Sequence, residues 1–461
     1  MRFVSTRGAG ATAGFIDVLL AGLAPDGGLY APAEWPRLTA EEIAAFAGAP
    51  YPEVAAAVLG RFTGGEIATP DLAAICHKAY ASFAHPAVAP VTQLAPGRFL
   101  LELFHGPTLA FKDVAMQVLG GLFEHALAAR GRTMTIVCAT SGDTGGAAAA
   151  AFAGRTGVRL VILYPEGRIS EVQRRFMTAT GADNVACLAV KGDFDACQGM
   201  LKALFIDEAF VEDVSLAAVN SINFARIAAQ IVYYFTAAVA LGAPAREVSF
   251  AVPTGNFGDA YAGWAARRMG APIERLIIAT NANDILPRAL NDGDYRRGQA
   301  IATSSPAMDI QVASNFERLF FEYAGRDASE TGAAFAAFAR EGAFTLPGPM
   351  RAAMGEVFTA VSVSEDEAAR TMAATFAATG ELVDPHTAVA LAAAQVSPLG
   401  ATPLVVLATA HPAKFPAAVE AATGVAPPVP AIVAALAERQ ERSEPIAADA
   451  EAVKAFVRGM R

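Results

Sequence analysis

The chain has 461 residues, of which 54% are apolar and 17% charged, with a formal net charge of −10. That length predicts two or three domains, and the composition predicts a large buried core. An acidic chain of this kind offers no basic patch for nucleic acid or an anionic lipid surface, so both are excluded as partners. Anionic substrates would need positive charge gathered locally.

The opening MRFVSTRGAG lacks the apolar core of a signal peptide, and a cytoplasmic protein is expected. Residues 1–94 read as mainly helical. The run Gly8-Ala9-Gly10-Ala11-Thr12-Ala13 matches G-x-G-x-x-A in form. A dinucleotide site needs that run inside a strand–helix–strand unit with a downstream acidic residue. Nothing beyond a possible first strand is present here.

The segment Leu103-Phe104-His105-Gly106-Pro107-Thr108-Leu109-Ala110-Phe111-Lys112-Asp113 follows. Its Gly-Pro turn delivers one lysine to the start of a helix. Val114, Val118, Leu122 and Ala126 recur at the i, i+4 spacing of a buried helical face, and Gly131 ends it. A lysine set against Phe111 and an apolar helix is costly to keep charged. Its lowered pKa would suit Schiff-base chemistry. The alternative is a surface lysine paired with Asp113.

Thr133–Ala139 reads as a buried strand that runs into Thr140-Ser141-Gly142-Asp143-Thr144-Gly145-Gly146 and an alanine-rich helix ending at Gly154. Ser249–Pro253 likewise runs into Thr254-Gly255-Asn256-Phe257-Gly258-Asp259 and a helix over Ala260–Met269. Strand, glycine loop and helix N-terminus together aim backbone N–H groups at an anion. Either loop alone could be an ordinary tight turn. Two of them with a poised lysine form a constellation: a cofactor phosphate, an anionic group of the substrate, and an amine to carry an aldehyde.

Further strands are expected over Arg159–Tyr164, Val185–Val190, Val214–Val219, Leu276–Ala279 and Leu404–Ala408, each followed by a plausible helix. This alternation predicts an α/β protein with largely parallel sheets covered on both faces. Ligands sit outside the carboxyl ends of such strands, where both glycine loops and Thr409-Ala410-His411 fall. Ile227–Ala245 is uncharged and long enough for a membrane span. Gln230, Thr236, Gly242 and Pro244 interrupt it, and a buried core helix is expected instead. Ser364 with Glu367 forms a capping-box pattern, and Asp384-Pro385 an N-cap with a first helical turn. The expected organisation is a helical region (1–94), two α/β domains (95–245 and 246–430) and a helical tail (431–461). Cys76, Cys138, Cys187 and Cys197 show no C-x-x-C pairing and read as buried free thiols. The six histidines include no H-E-x-x-H, so no metal is expected, and no Walker motif occurs.

These stretches resemble the threonine synthase family of pyridoxal-phosphate enzymes, which have the tryptophan-synthase-β-like architecture called fold type II. HGPTLAFKD is similar to that family's cofactor-lysine motif, SGDTGG to its substrate loop and PTGNFGD to its cofactor-phosphate loop. The resemblance runs nearly end to end, through FVSTRG, PDGGLY, NSINFAR, SPAMDI, SNFER and TAHPAKF. It looks like the longer branch found in fungi and many bacteria.

The resemblance implies conversion of O-phospho-L-homoserine and water to L-threonine and phosphate, by γ-elimination and β-addition of water. It implies Lys112 as the catalytic lysine that carries pyridoxal 5'-phosphate. Gly255, Asn256, Phe257, Gly258 and Asp259 would hold the cofactor phosphate. Asp143 would face the 3-hydroxyl, where many relatives of the wider fold carry Asn, and Thr409 the pyridine nitrogen. Thr108, Ser141, Gly142 and Thr144 would contact the substrate. Asn223, Arg226 and Lys414 are the candidates for its phosphate. The partner is then a small molecule, and either a monomer or a small homo-oligomer is compatible. Another enzyme of the same fold, such as a threonine dehydratase or a β-replacement synthase, would share Lys112 but need no substrate-phosphate site. A non-catalytic module could use the two loops for anions alone.

Overall fold

The computed structural model describes residues 1–8, 11–397 and 400–460. Ala9 and Gly10 of the Gly8–Ala13 run therefore lie outside the described residues. In chain order the strands are β1 (Phe3–Ser5), β2 (Tyr30–Pro32), β3 (Val91–Ala95), β4 (Arg98–Glu102), β5 (Met134–Ala139), β6 (Val158–Pro165), β7 (Val185–Lys191), β8 (Leu216–Ala217), β9 (Val248–Pro253), β10 (Ile273–Thr280), β11 (Asp294–Arg296), β12 (Ala343–Thr345), β13 (Phe358–Ser362), β14 (Leu404–Ala408) and β15 (Glu444–Ala447).

Two sheets organise the molecule. One has the order β13-β10-β9-β14-β4-β3 and is parallel except for the β3–β4 hairpin at its edge. The other, β15-β7-β6-β5-β8, is parallel throughout. The central strands β9 and β14 are buried at every residue. Their near-continuous apolar runs suit strands covered on both faces.

The helix Phe224–Ala240 is buried on nearly all sides. It packs on the helices Tyr51–Thr63, Lys112–Arg130 and Gly258–Met269, so the uncharged stretch is a core helix. Among the described residues, no helix is long and apolar enough to cross a membrane. The cap signals appear as expected: Ser364 and Glu367 close a capping box, and the Asp384 side chain caps Pro385–Val396. The four cysteines are buried free thiols.

Several expectations are corrected. The strand expected over Val214–Val219 shrinks to β8, because Val214 closes the helix Glu208–Val214 and Ser215 turns the chain at φ 48°. The N-terminal region contains the β1–β2 pair as well as helices. Strands β4 and β5 both fall within 95–245 but lie in different sheets, β4 beside β14. The tail is not wholly helical: β15 adds to the edge of β7. Each difference involves an edge or a pairing between distant segments, which local periodicity does not encode.

Candidate active site

The loop that carries Lys112 is fastened to the exit of β14. Leu103 N–H donates to Ala408 O at 3.0 Å, Phe111 N–H to Thr409 O at 2.8 Å, and His411 N–H to Leu109 O at 3.1 Å. Asp113 Oδ2 accepts the N–H of Thr108 at 2.8 Å, and its Oδ1 accepts the Thr108 hydroxyl at 2.6 Å. Gly106 permits this fold-back, since a Cβ there would lie 2.4 Å from that of Asp113. Asp113 is thus Thr108's partner, and the reading of Lys112 as a surface lysine paired with Asp113 is set aside.

Lys112 is the first residue of the helix Lys112–Arg130 and is buried. Its Nζ lies 3.5 Å from Asp143 Oδ2 and 4.8 Å from the centroid of the Phe111 ring. Burial pulls its pKa below the usual lysine value. Asp143 opposes that shift, while Lys414 and Arg226 add to it.

The first glycine loop is organised by Thr140, whose hydroxyl accepts the N–H groups of Gly142 and Gly145, each at 3.0 Å. Gly142 has φ 138° and ψ −84°, and a Cβ there would meet Gln173 at 2.5 Å. Only glycine suits that position. Asp143 then opens the helix Asp143–Phe152. Its Oδ1 accepts from Gln173 Nε2 at 2.9 Å and lies 2.7 Å from Lys414 Nζ. Burial alone would push the Asp143 carboxyl up, but Lys414 and Lys112 outweigh it and hold the group well below the usual range. Ser141 is exposed and Thr144 half-buried.

In the second loop, after β9, the Thr254 hydroxyl accepts the N–H of Phe257 at 3.2 Å, and Phe257 turns the chain at φ 63°. Asn315 Nδ2 donates to both Asn256 O and Ser221 O, clamping the loop to the 220–223 turn. The N–H groups of Gly255 and Asn256 meet no protein acceptor among the described residues. They precede the helix that starts at Gly258, which makes an open anion cradle. Asp259 differs from its neighbours. Its carboxylate turns into the core and accepts the hydroxyls of Tyr233 and Tyr234.

The remaining candidates divide. Thr409 is buried beside the lysine loop through the carbonyl contact to Phe111. Asn223 has its whole amide engaged: Oδ1 caps the helix Phe224–Ala240 at Ala225 N–H, and Nδ2 donates to Leu19 O at 2.8 Å. Arg226 is buried, with Nη1 donating to Val219 O at 3.2 Å. Its Nε has no partner among the described residues, and burial pushes its pKa down to about 10. Lys414 is 1% exposed, and its ammonium donates to Thr108 O at 2.8 Å. Thr140, Gln173 and the role of Asp113 escaped the sequence reading. The Ser170-x-x-Gln173 spacing signals a capping box, which the structure has, but not the reach of Gln173 to Asp143.

Residues 2–80 match the family model for the threonine synthase N terminus, 92–354 the model for pyridoxal-phosphate dependent enzymes, and 387–457 the threonine synthase C-terminal model. A threonine synthase of Pseudomonas aeruginosa is 49% identical over 459 residues, covering 99% of this chain and 98% of that protein. The crystal structure of PLP-bound threonine synthase from Brucella melitensis superposes with a TM-score of 0.98 at 52% identity, covering 100% of this chain and 99% of that one. Threonine synthase from yeast gives a TM-score of 0.94 at 36% identity, with 100% and 98% covered.

Proposed function

Because the chain belongs to the threonine synthase family, we propose that its chemistry is carried by Lys112, buried opposite Asp143 of the first glycine loop. The reaction is that of the family: O-phospho-L-homoserine and water give L-threonine and phosphate. The cofactor is pyridoxal phosphate.

The residues present fit that group. A buried amine with lowered proton affinity suits its aldehyde, and the free N–H groups of Gly255 and Asn256 suit its phosphate. When bound, it supplies an electron sink for carbanion character on the substrate.

The chain's own residues supply the rest. Lys112 holds the cofactor and, once released from it, is the base that takes the proton from the substrate Cα and then from Cβ. Thr140 engages the N–H groups of Gly142 and Gly145. The N–H groups at the start of the helix Asp143–Phe152 then remain for the substrate carboxylate. Thr409 lies beside the lysine loop and serves the pyridine nitrogen. Arg226 is the cation for the substrate phosphate, since a buried guanidinium with an unpartnered Nε calls for an anion. Asn223 supports this arrangement by starting the helix that carries Arg226 rather than by touching substrate.

The observation that carries this reading is the buried Lys112 amine, 3.5 Å from Asp143 and set against the Phe111 ring. The test is an absorption spectrum of the purified protein followed by a phosphate-release assay on O-phospho-L-homoserine. A visible lysine-linked band, with phosphate and threonine formed in equal amounts, is expected. Phosphate release without threonine would refute it.

A further inference from the structure

Lys414 is an almost wholly buried lysine in the short turn Pro412–Lys414. Its ammonium touches two other segments at once: Thr108 O in the lysine loop at 2.8 Å, and Asp143 Oδ1 in the glycine loop at 2.7 Å. The Phe176 ring centroid lies 5.5 Å away. Asp143 therefore stands between two ammonium groups. Its contact to Lys414 is 2.7 Å, while its contact to Lys112 is 3.5 Å. Gln173 adds a third donor, on the same oxygen that Lys414 uses.

A buried carboxylate facing a single lysine would hold that lysine protonated, because opposite charge favours the charged form. A protonated amine is neither a nucleophile nor a base. Here the negative charge of Asp143 is already matched. The charged groups acting on Lys112 are Asp143, Lys414 and Arg226. Asp113, next to it in the chain, is engaged by Thr108.

We propose that Lys414 is a positioning residue for Lys112: it takes Asp143 as its closer counter-ion and Thr108 as its anchor, and so loosens the hold of Asp143 on the Lys112 amine, whose own contact to that carboxylate is the longer one. This gives Lys414 a role inside the protein in place of the substrate-phosphate contact expected from the sequence. It rests on the reading of Lys112 as the cofactor lysine.

The test uses holoenzyme and three variants: Lys414→Met, Asp143→Asn, and the two combined. For each, the pH midpoint of the visible band and the acid limb of the kcat profile are measured. Borohydride trapping and peptide mapping identify the linked lysine. Lys414→Met should raise the midpoint by about one unit or more, the scale of one charge within 4–6 Å. Asp143→Asn should lower it. The double variant should return close to wild type, and the acid limb of kcat should move in the same directions. A loss of packing alone would not produce opposite shifts that cancel.

If Lys414→Met fails to fold, Lys414→Gln decides, since its amide can still donate to Thr108 O while removing the charge that faces Asp143. Its midpoint must then lie above that of wild type. An unmoved midpoint in the folded variant, Lys414→Met or Lys414→Gln, overturns the proposal. Trapping at a lysine other than Lys112 refutes the site assignment itself, and this inference with it.

Discussion

Tyr233 donates to Asp259 at 2.5 Å from the buried helix Phe224–Ala240, and this bond turns the last residue of the second glycine loop away from the site. Tyr234 donates to the same oxygen at 2.9 Å. Burial pushes the Asp259 carboxyl up to about 6, and the two hydroxyls only partly oppose it. A carboxyl whose folded pKa lies above its unfolded one contributes stability that is full below the unfolded value and lost as pH rises through the folded one. Stability should therefore fall as pH rises from about 4 through about 6 to 7. Asp259→Asn keeps an acceptor for the tyrosines without the charge and should flatten that fall, by on the order of 1–3 kcal/mol. Chemical denaturation across this pH range reads it. Parallel stability curves for the two proteins would contradict the assignment.

Lys112→Ala removes the amine that holds the cofactor and moves the proton. The visible band should vanish, and activity should fall by several orders of magnitude, because both roles are lost together. A reducible lysine-linked cofactor that survives in this variant would place the linkage elsewhere.

Gly142→Ala tests the first glycine loop. At φ 138° a side chain is strained, and its Cβ would collide with Gln173, which holds Asp143. The expected cost is about 1–3 kcal/mol of stability, together with a marked drop in kcat/KM. Ser141→Ala, at an exposed position on the same loop, serves as the comparison for stability. Equal melting temperatures for the two variants would show that the loop relaxes freely.

Gly255→Val tests the second loop. A Cβ there would lie 2.9 Å from Ile310 Cδ1 and 3.1 Å from both Ala307 O and Met308 Cα. The loop must then shift, taking with it the free N–H groups of Gly255 and Asn256. Cofactor should dissociate faster on dilution, as read by loss of the visible band. Retention as in wild type would move the phosphate to another cradle.

Arg226→Leu removes the buried guanidinium. Turnover of O-phospho-L-homoserine should drop by about 10–100-fold, the range for a charge-assisted hydrogen bond lost from the reacting complex, while the visible band persists. Slow turnover of unphosphorylated serine, if measurable, should change far less. Equal losses on both substrates would mark Arg226 as structural.

Much of this molecule is legible in its sequence because the relevant physics is local. A glycine loop between strand and helix, a capping box at Ser364 or an N-cap at Asp384 depends on residues within one turn of each other. The helix Lys112–Arg130 starts at the lysine delivered by the Gly-Pro turn, and Gly131 stops it, as the spacing predicts. The family motifs are contiguous, so the lysine and both loops stand out from the chain alone.

What the sequence leaves open is which distant partners those groups meet. No local pattern shows that β4 pairs with β14, or that β15 completes an edge beside β7. Nor does spacing reveal that the Asn223 amide is consumed by Ala225 and Leu19, or that Asp259 turns to the tyrosines. Asp143 meets Lys112, Gln173 and Lys414 only because two sheets bring their strand ends together. Burial raises the strength of each of these charge contacts, and burial is a property of the packed chain.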